Sequence, residues 1–485
     1  MQRWSALCWG LLGLLAAAIW LIRLDGMLRL GGMHSTTGFE DISIFNISLM
    51  QHGAPAYSDC FEYPYRLSLF NWFFYACYAQ VAAIVDPSEE RLPAVLRLIT
   101  VAWSCIGFAT MVRLFLGSAP LLSRLQIFAS IGLALAVWYG PFLGWWSMTV
   151  RPDVPAVVCE FLGLFIVLRR GEKLSWPWAV AAALCFFLGW SFKQNAVMIL
   201  AGCLLALALR RQWTSALRIA AVFAFLAGLV LLLAPPAYFT NTLAPRVTPF
   251  QGSQYQAILF WWAISWGPLL LLGPLLLWLG FAGRRRERLG QWSLFLPGVV
   301  FLVVLPANLL AMGRVGSSCN YLFESWLVGM TLVGLLTLQA GTTDNPPGPD
   351  WQRSLFLALG GLLVSGAVLS VVPLFHPFQK EEGWPLEVML RLPREPYAES
   401  LLSKVRACRG PLLADDSYLI RQAMGAEAVK VPVVDLTIYP DARAAGLIRD
   451  GGIEQRIRDR KFSDLWLEGR ESYWADAARN AGYVV

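Results

Sequence analysis

Apolar stretches of about twenty residues recur from the start of the chain to position 374, and this recurrence limits what it can fold into. Such a stretch is long enough to cross the hydrocarbon core of a bilayer as a helix. In lipid every backbone polar group must be bonded within the protein, so a chain built this way becomes a helical bundle. The runs lie near 4–22, 66–85, 94–117, 125–143, 154–168, 176–192, 194–209, 217–235, 257–281, 292–312, 321–340 and 354–374. Over the 485 residues, 57% are hydrophobic and 15% are charged, well below the quarter or so charged that a soluble domain carries. A soluble enzyme, a disordered chain, a fibrous repeat and a protein with a single anchor are thereby excluded.

The basic residues set the sides. Arg169-Arg170-Gly171-Glu172-Lys173, Arg210-Arg211 with Arg218, Arg284-Arg285-Arg286-Glu287-Arg288, and Arg353 fall at every second loop, as cytoplasmic loops do. The alternate loops each carry one cation: Arg151, Lys193, Arg246 and Arg314. These loops are expected to face outward, with the region after 376. The first run is expected to be an uncleaved span. A cytoplasmic start and an outward end require an odd number of crossings, so one run in the first 150 residues must be re-entrant or split; 66–85 and 125–150 are the candidates. The net charge is +7, and the basic excess lies between the apolar runs, which reads as topology and not as nucleic-acid binding. The cysteines have no zinc or redox spacing.

From about 376 charge becomes frequent and apolar runs shorten. The segments 412–414, 431–435 and 462–467 read as short strands and 453–460 as helical, which predicts a small α/β domain. The expected architecture is an α-helical polytopic membrane protein of about 11–13 transmembrane helices, 1–375, whose first outward loop spans 23–65, followed by an outward α/β domain, 376–485.

Polar residues concentrate in four outward segments. The first contains Glu40-Asp41, then a pattern over 42–51 that predicts a short amphipathic helix in the interface, ended by Gly53 and Pro55, then Tyr57, Asp59, Glu62, Tyr63 and Pro64. Adjacent carboxylates beside lipid usually face a watery cavity with a role; they also suit a helix N-terminus. The second is Arg151-Pro152-Asp153, opening an apolar helix. The third is Lys193-Gln194-Asn195 between two runs, and the fourth runs from Gly313-Arg314 to Asn320, Tyr321 and Glu324, the last inside the next run. Isolated cations can hold a phosphate leaving group, and a carboxylate can take the proton of an attacking hydroxyl.

In order and sidedness these segments resemble the GT-C membrane glycosyltransferases, such as the protein O-mannosyltransferases and the lipid A aminoarabinose transferases. Their first outward loop carries an Asp-Glu pair, an interfacial helix, then Gly, Tyr, Asp and a Pro-containing entry to the next helix. Here the corresponding residues are Glu40-Asp41, Gly53, Tyr57, Asp59 and Pro64. The order of the acids is swapped, so either Glu40 or Asp41 takes the place of the base. Arg151-Pro152-Asp153, Lys193-Gln194 and Gly316 through Asn320-Tyr321 and Glu324 are similar to further family segments.

The resemblance implies transfer of a sugar from a polyprenyl-phosphate donor to a lipid, glycan or protein acceptor, by inverting displacement at the outer face of a bacterial cytoplasmic membrane. Glu40 or Asp41 would be the base. Asp59, Glu62, Tyr63, Arg151, Asp153, Lys193, Arg314, Asn320, Tyr321 and Glu324 would line the substrate site, with Lys193 and Arg314 on the carrier phosphate. No cofactor is certain. Some family members need a divalent cation, Mg or Mn, for which Asp153 is the candidate ligand here. The rival readings are a transporter or lipid flippase, which predicts inverted repeats and charges at the bilayer midplane, and a non-catalytic subunit of glycan assembly.

Overall fold

The computed structural model describes residues 2–29, 40–117, 123–140, 142–171, 173–253, 255–256, 291–313, 319–340, 399–434, 438–467 and 472–483. The runs near 257–281 and 354–374 and the basic residues Arg284–Arg288 and Arg353 lie outside them.

The described chain is mostly helical. Long apolar helices form where the sequence offers runs of Leu, Ala, Val and Phe between breakers: α1 (Gln2–Arg29), α4 (Leu92–Leu116), α6 (Asp153–Arg170), α7 (Trp176–Phe192), α8 (Met198–Leu209) and α9 (Trp213–Leu233), with α11 (Trp292–Ala311) and α12 (Phe323–Ala340) after the undescribed stretch. Among the described residues, four helices are long and apolar enough to cross a membrane unaided: Trp9–Leu28, Leu92–Leu116, Trp213–Leu233 and Trp292–Ala311. Their outer faces are apolar too. Phe225 is 70% exposed and Leu232 81%, a pattern that suits lipid and not water. The protein is a multi-pass membrane protein.

The two runs singled out by the parity argument each make a short helix. α3 (Trp72–Val85) has 14 residues and α5 (Arg124–Tyr139) has 16. At 1.5 Å per residue these span roughly 21 and 24 Å, less than a hydrocarbon core of about 30 Å. Residues 66–71 are not helical. Side chains from elsewhere bind their backbone: Asn46 Nδ2 donates to Leu67 O (2.7 Å), Ser68 N donates to Asn241 Oδ1 (2.6 Å), Gln194 Nε2 to Leu69 O (3.1 Å) and Tyr57 Oη to Phe70 O (2.7 Å). α5 pairs closely with α1. A Cβ on Gly13 would lie 2.2 Å from Gly132 O, so only glycine permits this backbone approach, as at other tight helix crossings in membranes.

The helix α2 (Glu40–Gln51) begins at the acid pair. Its expected interfacial position is not what the packing shows. Ile44 and Ile47 pack with Tyr57, Phe74 and Tyr75, while Phe45 and Leu49 pack with Leu402, Val405 and Ile420 of the C-terminal part. Ser43, Asn46 and Ser48 are buried as well. The helix is therefore clasped on both faces by protein. It ends at Gly53, whose φ of +86° suits a residue without a Cβ.

The C-terminal part contains α13 (Glu399–Ala407), β1 (Leu412–Ala414), α14 (Ser417–Met424), α15 (Tyr439–Ala444), α16 (Gly452–Arg458), β2 (Asp464–Trp466) and α17 (Ala475–Asn480), besides α10 (Pro236–Leu243) in the preceding bundle. β1 and β2 are parallel, with Leu413 opposite Leu465, so the small α/β expectation holds for two of the three segments. Residues 431–434 are not a strand. Val431 and Val433 are buried in the core around β1, which accounts for their apolar pattern without a ladder; residue 435 lies outside the described residues.

Candidate active site

The acid pair opens α2, and its two members have different surroundings. Glu40 is fully buried. Its Oε1 accepts from Arg97 Nε (3.2 Å) and from Val150 N (2.8 Å), and its Oε2 accepts from Arg97 Nη2 (3.2 Å). Arg97 also donates through Nη1 to Met27 O (2.9 Å) near the end of α1. A buried ion pair of this kind needs its remaining hydrogen-bonding capacity filled, and here it ties α1, α2, α4 and the 149–151 segment together.

Asp41 is only partly buried. Ser417 Oγ at the start of α14 donates to its Oδ2 at 3.5 Å, a long contact. Its carboxyl is pushed up to about 6, by burial first, with backbone N–H groups opposing and the neighbouring Glu40 charge adding to the rise. Asp416 caps α14 through its side chain, accepting from Tyr418 N (2.9 Å) and Leu419 N (3.0 Å). That cap sets Ser417 against Asp41. It also sets Tyr418 near Glu40 and Arg97, where burial holds the phenol well above its usual range and the Glu40 charge adds to this.

The Glu40–Val150 bond joins the acid pair to a second cluster. Thr100 Oγ1, bonded to Tyr78 Oη (2.8 Å), donates to Thr149 O (2.8 Å) and fixes the strand-like turn before α6. The next side chain, Arg151, lies over the Trp146 ring at 4.6 Å and donates through Nε to Asp153 Oδ2 (3.1 Å). Asp153 Oδ1 accepts from Lys193 Nζ (2.6 Å) and from Asn320 Nδ2 (2.7 Å). Lys193 also lies 4.8 Å from the Tyr321 ring centre. Two cations, Arg151 and Lys193, thus share the one Asp153 carboxylate. Below it is a cavity of about 50 Å³ bordered by Asp153, Glu160, Lys193, Asn308, Asn320 and Glu324.

Of the residues singled out by sequence, Glu40, Asp41, Arg151, Asp153, Lys193, Asn320, Tyr321 and Glu324 thus fall into two adjoining groups. Arg314 lies outside the described residues. Asp59 is exposed and accepts from the nearby Phe61 N (2.9 Å); Glu62 is exposed. Tyr63 donates to Lys430 O (3.1 Å), and Arg456 lies 4.2 Å over its ring. Among the described residues no contact joins these three to the acid pair or to Asp153. Cys60 and Cys408 are free thiols.

A divalent ion does not fit Asp153 as it stands. Both of its oxygens are engaged by Arg151, Lys193 and Asn320, and the described residues contain no group of three or more His, Cys, Asp or Glu that could hold a metal.

Three contributors were missed by sequence reasoning. Arg97 and Glu160 are charges inside apolar runs, and an intramembrane charge marks a paired or functional group by default; that signal was available. Tyr418 has no local signal, since only the docking of α14 brings it to Glu40.

No protein-family model matches the chain, and no curated protein sequence is significantly similar. Among solved structures it is similar to ArnT from Cupriavidus metallidurans bound to undecaprenyl phosphate, with a TM-score of 0.53 and 13% identity over 89% of this chain and 87% of that one. To the apo state of the same protein the TM-score is 0.50 and the identity 12%, over 92% and 90% of the two chains. It is also similar to the oligosaccharyltransferase AglB from Archaeoglobus fulgidus in complex with an inhibitory peptide and a dolichol-phosphate, at a TM-score of 0.47 and 12% identity over 87% of this chain; the chain spans 65% of that protein's length. The likeness to ArnT shows a GT-C-like fold, as the sequence motifs implied.

Proposed function

We propose that the protein is an inverting glycosyltransferase that takes a sugar from a polyprenyl-phosphate carrier at the outer face of a bacterial cytoplasmic membrane. The observation that carries this reading is the bond from Val150 N to Glu40 Oε1 (2.8 Å), which ties the acid pair to the backbone one residue before Arg151 and so supports a shared site with the Arg151–Asp153–Lys193 cluster. The ArnT structure of similar fold holds undecaprenyl phosphate, which supports a prenyl-phosphate donor here.

In this reading Asp41 is the base and Glu40 is its positioning partner. Both Glu40 oxygens are already bonded to Arg97 and Val150, whereas Asp41 is met by backbone N–H groups of its own helix start and by a long side-chain contact from Ser417, and its carboxyl is pushed up to about 6, close to the pH at which a base is most useful. The acceptor hydroxyl attacks the anomeric carbon as its proton passes to Asp41. The bond from that carbon to the carrier phosphate breaks, and the phosphate leaves as an anion held by Arg151 and Lys193. Phosphate needs no proton to depart, so one base suffices. The acceptor is a lipid, glycan or protein hydroxyl beyond the membrane.

The test is transfer from polyprenyl-phosphate-linked sugars in membranes bearing the full chain. D41N is expected to lower kcat by about a hundredfold or more, the usual contribution of a general base, with little change in KM. E40Q is expected to weaken folding before chemistry, because it leaves the Arg97 charge buried without its partner. Full turnover in both variants would reject the assignment, and full turnover in D41N alone would remove Asp41 as the base.

A further inference from the structure

The helices that meet at the Arg151–Asp153–Lys193 cluster run from it to a second polar end of the bundle. α6 starts at Asp153 and ends at Arg170, α8 ends at Leu209, and α7, α9 and α11 start at Trp176, Trp213 and Trp292. The 18 residues of α6 separate the two ends by roughly 27 Å at 1.5 Å per residue. Loops and helix ends are tied together there. Leu174 N donates to Ser215 Oγ (3.1 Å), Arg218 Nη1 to Leu174 O (3.0 Å), Trp292 Nε1 to Val167 O (3.2 Å) and Arg169 Nη1 to Gly117 O. The segments 169–178 and 210–218 hold six Arg or Lys residues and one acid, Glu172. Their exposed rim sets cations against indole rings. Arg170 lies over the Trp178 ring, 3.5 Å from its centre, and Arg218 lies 5.7 Å from the centre of the Trp176 ring. Trp176 is 52% exposed and Trp213 58%, and Lys173 and Arg211 are exposed as well. Leu209 and Leu217 present apolar surface beside them.

A bias toward positive loops orients a span but asks for no particular geometry. This rim has one. Indole rings settle at the head-group level of a bilayer. A guanidinium held over such a ring keeps its charge and offers a planar fork of donors that matches a phosphate. The starts of α7 and α9 add the positive ends of their dipoles. We infer that this rim binds the phosphodiester head groups of anionic phospholipids in the adjoining leaflet. Arg170, Lys173 and Arg211 supply the attracting charge, and Trp176, Trp178 and Trp213 set the depth at which it meets the lipid. Charge complementarity chooses the occupant: surplus cations favour a lipid of net negative charge over a zwitterion that carries the same phosphate. The rim lies at the opposite end of α6 from Asp153, so the inference stands or falls independently of the proposed function.

The experiment measures the affinity of the purified full chain in detergent for labelled phosphatidylglycerol and for labelled phosphatidylethanolamine with the same acyl chains. Phosphatidylglycerol is expected to bind about tenfold more tightly or better, since several cations near a lipid surface act together. In R170Q/K173Q/R211Q that preference is expected to fall to about twofold or less, because the charges that create it are gone. R409Q/R449Q/K461Q removes as many exposed cations from the C-terminal part and is expected to keep the preference. No preference in the wild type, its survival in the first variant, or equal loss in both variants overturns the inference. Displacement of phosphatidylglycerol by inorganic phosphate alone would identify a site for free phosphate and also overturns it. Where the first variant does not fold, salt decides on the wild type. The screening length shrinks from about 10 Å at 0.1 M to about 3 Å at 1 M. A preference lost over that range supports the inference, and one that persists undiminished overturns it.

Discussion

At the scale of single residues, the two acids of one dipeptide take different tasks because of what surrounds them. Glu40 is enclosed by Arg97 and Val150, while Asp41 faces the start of α14 and carries a carboxyl pushed up to about 6, burial being the main cause. That shift makes a pH prediction with two signs. A base acts in its deprotonated form, so kcat/KM is expected to rise through about pH 6 and level off above it. Stability moves the other way. The folded chain holds the Asp41 proton between the unfolded carboxyl value of about 4 and the folded value of about 6, so this group's contribution to stability is present at low pH and is lost as pH climbs through that window. A pH–rate profile of the wild type, set beside thermal unfolding of the wild type and D41N, checks both. A rate independent of pH from 5 to 8 would remove Asp41 as the titrating base. Arg97 shows why one half of this arrangement was hidden from the sequence. It is one of two cations in the run 94–117, with Arg113, and nothing local ties it to an acid 57 positions earlier.

At the scale of elements, the apolar runs were legible because a buried or lipid-facing helix declares itself by length and composition. Of the ten expected runs with described residues, each contains a helix. What could not be read was where two of them stop. In 66–85 the first six residues, Arg66 to Asn71, stay out of α3 because distant side chains bind their backbone. The strand expected at 431–435 is not formed over the described 431–434 for a related reason: alternation of valine reports burial, and among the described residues no strand pairs with it. Asn241 provides the element-scale test. Its side chain accepts from Ser68 N (2.6 Å) and donates to Ser58 O (2.6 Å), and both the residue and the Ser68 it serves are fully buried. N241A leaves a buried backbone N–H without an acceptor, a loss of about 1–3 kcal/mol for each orphaned group. Its effect on thermal unfolding in detergent is expected to exceed that of T240A, whose hydroxyl donates within its own helix to Pro236 O (3.3 Å). Equal midpoints for the two variants would show that residues 66–71 are held by something other than this side chain.

At the scale of the whole molecule, α2 is the shared wall between the helical bundle and the C-terminal part. Its Ile44–Ile47 face belongs to one core and its Phe45–Leu49 face to the other, so the acid pair at its start responds to how the C-terminal part is seated. A polar bolt fixes that seat. Arg421 of α14, itself buried, bonds to the Glu89 carboxylate (2.5 Å) and to the Glu89 backbone oxygen. The same carboxylate accepts from Ser48 Oγ (3.2 Å) on α2 and contacts His52 Nε2 (3.0 Å). Because α14 carries both Ser417 and Tyr418, loosening the bolt must disturb Asp41 and the Glu40–Arg97 pair together. R421A, which removes one partner of a mostly buried ion pair, is expected to raise hydrogen exchange in α2 and α14 and to lower transfer activity in parallel. The double variant R421A/E89A is expected to be no worse than R421A alone, since two residues acting through one contact are not additive. Additive losses would mean that Arg421 and Glu89 act independently. Normal activity despite faster exchange in α14 would mean that the C-terminal part merely covers the acid pair and does not position it.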